Sequence, residues 1–124
     1  MKRLLLLIPV ILLGIASGAH SLPLPQMNAL RSARDYLSIS GFSRKGLIDQ
    51  LSSSYGDGYS VQNATAAVNS MNVDWNQQAV RAARDYLSIS GFSCRGLIEQ
   101  LSSDYGDQYT VSQAKYAAAK MGIC

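Results

Sequence analysis

Ala33-Arg34-Asp35-Tyr36-Leu37-Ser38-Ile39-Ser40-Gly41-Phe42-Ser43 returns without a change as Ala83 to Ser93. Tyr36 thereby maps to Tyr86, a period of 50 residues. The echo extends outward from this core. Gly46-Leu47-Ile48 returns as Gly96-Leu97-Ile98, Gln50 to Ser53 as Gln100 to Ser103, and Tyr55-Gly56-Asp57 as Tyr105-Gly106-Asp107. Self-similarity at a fixed period marks a tandem array. A unit this short has room for little more than a few short helices around a small core. The chain from Gln26 onward is therefore one module written twice, over residues 26–73 and 74–124.

Each module reads as three helices, which makes the fold class all-α. In the first helix Ala29, Leu30, Ala33, Tyr36 and Leu37 fall on one face at helical spacing. Pro25 suits its opening turn, where the missing N–H is unpaired in any case. Trp75 occupies the matching place in module two, behind Asp74 as N-cap, with Gln77 three residues after that cap. The pairs Arg31/Asp35 and Arg81/Asp85 are four apart on the polar face and read as solvated ion pairs. Gly41 is expected to end the helix in a left-handed conformation. Ser43 and Ser93 then cap helix two, with Phe42/Leu47 and Phe92/Leu97 at the spacing of a hydrophobic staple. Leu47, Ile48, Leu51 and Tyr55 form its expected core stripe, and Gly56 and Gly106 its stop. Ser60 and Thr110 cap helix three, and Thr110 with Gln113 forms a capping box. Val61, Ala64, Ala67, Val68 and Met71 supply its inner face. So few residues separate module one from the Asp74 cap that the modules must pack closely, with Trp75 at the joint as an inter-repeat packing residue.

The N-terminus has a different composition. Met1-Lys2-Arg3 is cationic, Leu4 to Ile15 is almost wholly apolar, and Ala16, Ser17, Gly18 and Ala19 are small. That order is the layout of a secretory signal peptide over residues 1–21, with cleavage after Gly18, Ala19 or Ser21; an uncleaved anchor is the alternative. Residues 22–25, Leu-Pro-Leu-Pro, read as an extended linker. Either outcome exports the remainder, to the extracellular space or the outer face of the cytoplasmic membrane. Only the N-terminal segment would touch the membrane. Beyond Ala19 nine cations face eight anions, so two of the three net positive charges come from Lys2 and Arg3 in the leader. A near-neutral body gives no support for nucleic-acid binding.

Catalytic and metal chemistry find no foothold. The one histidine is His20, at or before the cleavage sites, so no Ser–His or Cys–His pair can be assembled in a mature chain. Two cysteines without histidine fall short of a zinc site. Asp104 and Asp107 beside Tyr105-Gly106 offer too few oxygens for calcium, and module one has Ser54 in place of Asp104. No cofactor and no enzymatic activity are expected. Cys94 and Cys124 both lie in module two. An even pair in an exported chain suggests a disulfide, and antiparallel helices two and three would bring them together; two free thiols are the alternative. Arg44, Lys45 and Arg95 sit in the first turn of helix two, where the helix dipole disfavours cations. They read either as solvated charges or as a surface for an anionic partner.

The helix–Gly-Phe-Ser–helix arrangement is helix-turn-helix-like. A closer likeness lies in Ala33-Arg34-Asp35-Tyr36-Leu37, Phe42-Ser43, Gly46 to Leu51, Tyr55-Gly56 and a third helix with Ala64 and Ala67. Together with Ala114-Lys115-Tyr116-Ala117 in module two, these resemble the repeat of the host cell surface-exposed lipoprotein (Ltp) family, over roughly Gln26 to Met121. The resemblance implies tandem helix-turn-helix-like domains outside the membrane. Family members in temperate phages act in superinfection exclusion. They keep the DNA of an incoming phage from entering the cell, by engaging its tape measure protein. The expected partner is thus a protein. The alternative is a secreted or surface module that binds the cell envelope or a host molecule. The resemblance also implies a lipid-anchoring cysteine after the leader and an acidic partner surface. Here no cysteine follows the apolar run and the charges are mixed. The candidate partner-binding residues are Asp57, Tyr59, Asp107 and Tyr109 on the loop between helices two and three, with Arg44, Lys45 and Arg95. A turn-forming role is the alternative for the aspartates.

Overall fold

The computed structural model describes residues 21–124. The signal-peptide or anchor reading of the leader, apart from Ser21, and the remark on His20 lie outside the described residues. Six helices follow in order: α1 (Leu24–Ile39), α2 (Arg44–Ser52), α3 (Val61–Asn69), α4 (Trp75–Ile89), α5 (Cys94–Ser102) and α6 (Val111–Lys120). No strand occurs among the described residues. In each repeat the third helix packs against both the first and the second. Leu24 and Pro25 are already helical, in the first turn of α1, with Pro23 as its N-cap. The prolines start the helix rather than holding it off, because neither N–H at the first turn has an intrahelical partner to lose.

The caps form where hydroxyl and carboxylate side chains precede the helical runs. Ser43, Ser60, Asp74, Ser93 and Thr110 each accept from the backbone N–H three residues on. Each such cap stabilises its helix by about 1 kcal/mol. The capping box of Thr110 and Gln113 closes in both directions. Gln77 does not complete one with Asp74: its side chain reaches the Tyr116 hydroxyl, 3.3 Å away.

Each repeat has its own core. In the first, Ala33, Leu47, Leu51, Ala64 and Val68 cluster with Tyr36, Phe42 and Trp75 around them. In the second, Ala83, Leu97, Leu101, Ala114 and Ala118 occupy the same places. Alanines on the first and third helices let the two backbones approach closely. The leucines of the second helix fill the remaining space, each contributing about 1.5–3 kcal/mol by burial. Trp75 belongs to α4 by chain and to the first core by packing.

Several local expectations give way. Tyr55 and Tyr105 are not core residues but fully exposed, at 101% and 103%. The helices stop at Ser52 and Ser102, so helical spacing no longer aims a side chain three residues later. Val61 and Val111, just after their caps, are exposed as well. Gly41 is not left-handed; Ser40 ends α1 in an extended conformation. Nor do Gly56 and Gly106 stop a helix. They sit in the following turn, where a Cβ would strike the Gln50 or Gln100 carbonyl. The carbonyls left open at the end of α2 are met by the loop itself, Asp57 N–H donating to Gln50 O and Tyr59 N–H to Leu51 O at 3.1 and 2.9 Å. Arg81 forms no ion pair with Asp85; it donates instead to the Leu37 carbonyl at 2.7 Å and to Gln78 Oε1 at 3.0 Å. Among the described residues the one salt bridge is Lys45–Asp104, 3.4 Å and exposed.

Those last contacts belong to a seam between the repeats. One side comprises the end of α1 and the start of α2; the other comprises α4 and the α5–α6 loop. Ser43 Oγ donates to the Asp107 carbonyl, and Gln108 Nε2 donates to Asp49 Oδ2 at 3.0 Å. Gly41 lies so close to α4 that a Cβ there would stand 2.6 Å from the Gln78 carbonyl. Its copy Gly91 has nothing within 4 Å among the described residues. Gly41→Ala is therefore expected to lower stability by about 1–3 kcal/mol through overpacking, and Gly91→Ala to change it by less than about 0.5 kcal/mol. Urea denaturation of the two variants, side by side, checks the asymmetry.

Candidate functional site

The loops that join the second helix of each repeat to the third carry the candidate site. Both are held in place by the same network. Tyr36 donates its hydroxyl to Asp57 Oδ1 at 2.7 Å and accepts from Gln50 Nε2 at 3.2 Å. Tyr86 does so with Asp107 and Gln100 at 2.7 and 3.1 Å. An edge-on contact with Phe42 or Phe92 fixes each tyrosine ring from the other side. The aspartates thus anchor their loops to the first helix. Two residues before each anchored aspartate the loop carries a bare tyrosine, Tyr55 or Tyr105.

The remaining loop residues have unequal surroundings. In repeat one, Ser32, Asp35, Tyr36, Asp57 and Tyr59 line an open cleft of about 400 Å³. Tyr59 meets the Ser32 hydroxyl at 3.0 Å. In repeat two part of the same face meets repeat one, with Gly41 against Ala82 and Ser43 on the Asp107 carbonyl. Tyr109 is 2% exposed and part of the core. Ser32 corresponds to Ala82, so the Tyr109 hydroxyl is buried without a hydrogen-bond partner. Burial also pushes the Asp107 carboxyl above its ordinary value, against the opposing effect of the Tyr86 hydrogen bond. The Tyr86 hydroxyl is pushed up to about 12, first by burial and then by the Asp107 carboxylate. Tyr109 is raised too, chiefly by burial.

The residues singled out in the sequence therefore separate. Tyr109 is corrected from a partner contact to a core residue, because nothing outside the chain can reach it. Asp107 is half-buried, with its side chain held by Tyr86 and its carbonyl by Ser43. Lys45 is engaged with Asp104 across the seam. Arg44 donates from Nε and Nη2 to Asn69 Oδ1 at 3.2 and 2.6 Å, joining the start of α2 to the end of α3. Cys94, in the place of Arg44, joins the start of α5 to Cys124, just past the end of α6, through a disulfide. A bridge closing a loop of this length contributes about 3–4 kcal/mol on the chain-entropy account. Asp57 and Arg95 stay exposed and Tyr59 half-exposed. Tyr55 and Tyr105 were missed as surface residues. Their signal was the glycine directly after each, which marks a turn where helical spacing has already lapsed.

With this geometry in hand, comparison with known proteins becomes specific. A family model described as host cell surface-exposed lipoprotein matches residues 25–71 and again 74–121. The chain belongs to this family. Both matches coincide with the three-helix units, and the chain's only two cysteines are spent on the disulfide. The chain is also similar to a solved structure of Ltp, a superinfection exclusion protein from the Streptococcus thermophilus temperate phage TP-J34. The two are 32% identical, with a TM-score of 0.70, over 79% of this chain and 96% of that one. The comparison with curated proteins returns no match. No helix among the described residues is long and apolar enough to cross a membrane.

Two outcomes test the network. Tyr59→Phe removes a paired hydroxyl and is expected to cost about 0.5–1.5 kcal/mol, whereas Tyr109→Phe removes an unpaired one and is expected to be neutral or stabilising. Chemical denaturation gives both signs. The raised Tyr86 hydroxyl keeps its proton in the folded state after the unfolded chain begins to lose its own. The stability it contributes is present below pH 10 and is lost as pH rises through about 12. Denaturation midpoints should fall across that window, less steeply in Tyr86→Phe.

Proposed function

We propose that this protein is a superinfection-exclusion protein acting outside the cytoplasm, where it engages the tape measure protein of an incoming phage and keeps the phage DNA from entering. The observation that carries this reading is the likeness to the phage TP-J34 protein, which spans nearly all of that chain at 32% identity. The family's description as surface-exposed supports the location.

The contact surface we assign is the pair of tyrosine-tipped loops. A fully exposed tyrosine offers a large rigid ring and a hydroxyl at small conformational cost, the combination that protein interfaces favour. Finding it twice, at the same place in two docked repeats, fits recognition of an extended or repetitive protein segment. Asp57 and Arg95 supply exposed charge on the same molecule. Binding two weak points on one rigid body raises avidity without strengthening either contact.

Expression of the full chain in a susceptible host tests the function. Adsorption of challenging phage should proceed normally while DNA delivery falls. The double variant Tyr55→Ala/Tyr105→Ala should lose most of that protection with unchanged thermal stability, since neither side chain packs on the core. DNA delivery at the normal rate in cells that accumulate the wild-type chain would rule the proposal out.

A further inference from the structure

The seam joins two different faces of one repeated unit. Repeat one contributes the face built on Leu37 O, Gly41, Ser43 and Asp49. Repeat two contributes the face built on Gln78 O, Arg81, Asp107 O and Gln108. Because the units are copies, each face occurs twice, and one example of each is left uncovered. On repeat two the spare face holds Gly91, Ser93 and Glu99, all exposed, while Ser43 is buried and Gly41 half-buried in the seam. On repeat one the spare face holds Asn28, Arg31, Asp57 and Gly58, all exposed.

We infer that a second copy of this chain docks its repeat-two face onto the repeat-one face of the first, extending the intramolecular seam head to tail. An interface between unlike faces of one unit is heterologous and continues until something closes or caps it. Three of the seam's features carry over unchanged. Arg31 stands where Arg81 meets a main-chain carbonyl, and Ser93 where Ser43 donates to one. Gly91 stands where Gly41 makes the close approach possible, and among the described residues nothing within 4 Å requires it to lack a side chain. Two features do not carry over. Ser54 replaces Asp104 of the ion pair and Gly58 replaces Gln108. Gln108 holds a left-handed backbone, φ 61°, for its contact with Asp49, and Gly58 has the same conformation, φ 71°, without the contact. The seam between copies is therefore weaker than the one within the chain, which also has the advantage of covalent linkage. Tyr105 is fully exposed although its loop forms the seam, so docking would leave Tyr55 free as well. A row of copies would present a row of tyrosines.

Two differently tagged full-length copies expressed in the same cells test this, one carrying Ser54→Cys and the other Glu99→Cys. A short bismaleimide should join them several-fold more efficiently than it joins Ser54→Cys to Lys115→Cys, an exposed position on α6 whose residue makes none of the seam contacts. Adding Gly91→Trp to the Glu99→Cys copy should reduce the yield to that of the control pair while leaving thermal stability unchanged. Cross-linking no greater than the control, or a yield indifferent to Gly91→Trp, overturns the inference.

Discussion

Ser43 accepts the Gly46 amide as the cap of α2 and, from the same position, donates its hydroxyl to the carbonyl of Asp107. One side chain thus starts a helix and joins the repeats. Around it the Gly41 backbone lies against α4, Arg81 donates to the Leu37 carbonyl in the last turn of α1, and Gln108 reaches Asp49. Three short helices around a few alanines and two leucines bury little apolar surface, and units of this size stand near the limit of independent stability. The seam relieves that limit by covering one face of each unit.

Much of this was legible in the sequence, because the period of 50 residues supplies two readings of every element. A cap or stripe found twice at one place is hard to attribute to chance. Helix starts were read well, since Ser43, Asp74, Ser93 and Thr110 act on neighbours three residues away. Helix ends were read poorly. Gly41 and Gly56 have the residue type of a helix stop, but their glycines answer to carbonyls elsewhere, one on α4 and one on the preceding turn. Tyr55 keeps helical spacing from Leu51, and only the fold reveals that the helix has already ended. The disulfide partners could be inferred from antiparallel packing, and the place of Trp75 from the short link between the modules.

Identity of sequence does not become identity of role. Ser43 and Ser93, or Gly41 and Gly91, share every flanking residue across an eleven-residue stretch, yet one of each pair is covered and the other bare. The same inequality divides the candidate site. Tyr59 keeps a serine partner in an open cleft, whereas Tyr109 has lost that serine to Ala82 and is buried in the core of repeat two. What remains equal is the tip of each loop. Tyr36 with Asp57, and Tyr86 with Asp107, hold the loops alike whether covered or not, so Tyr55 and Tyr105 project alike. The proposed contact through these tips is insulated from the unequal fates of the surfaces below them.

The Cys94–Cys124 bridge does for repeat two what Arg44 and Asn69 do for repeat one, tying the start of the second helix to the stretch at the end of the third. The two ties differ in what releases them. The exposed hydrogen bonds to Asn69 exchange with water at every fluctuation, whereas the bridge opens only to a thiol or another reductant. Fraying of α6 therefore occurs inside a closed loop, and the two copies of one fold differ in stability by an amount that the redox state of the surroundings sets.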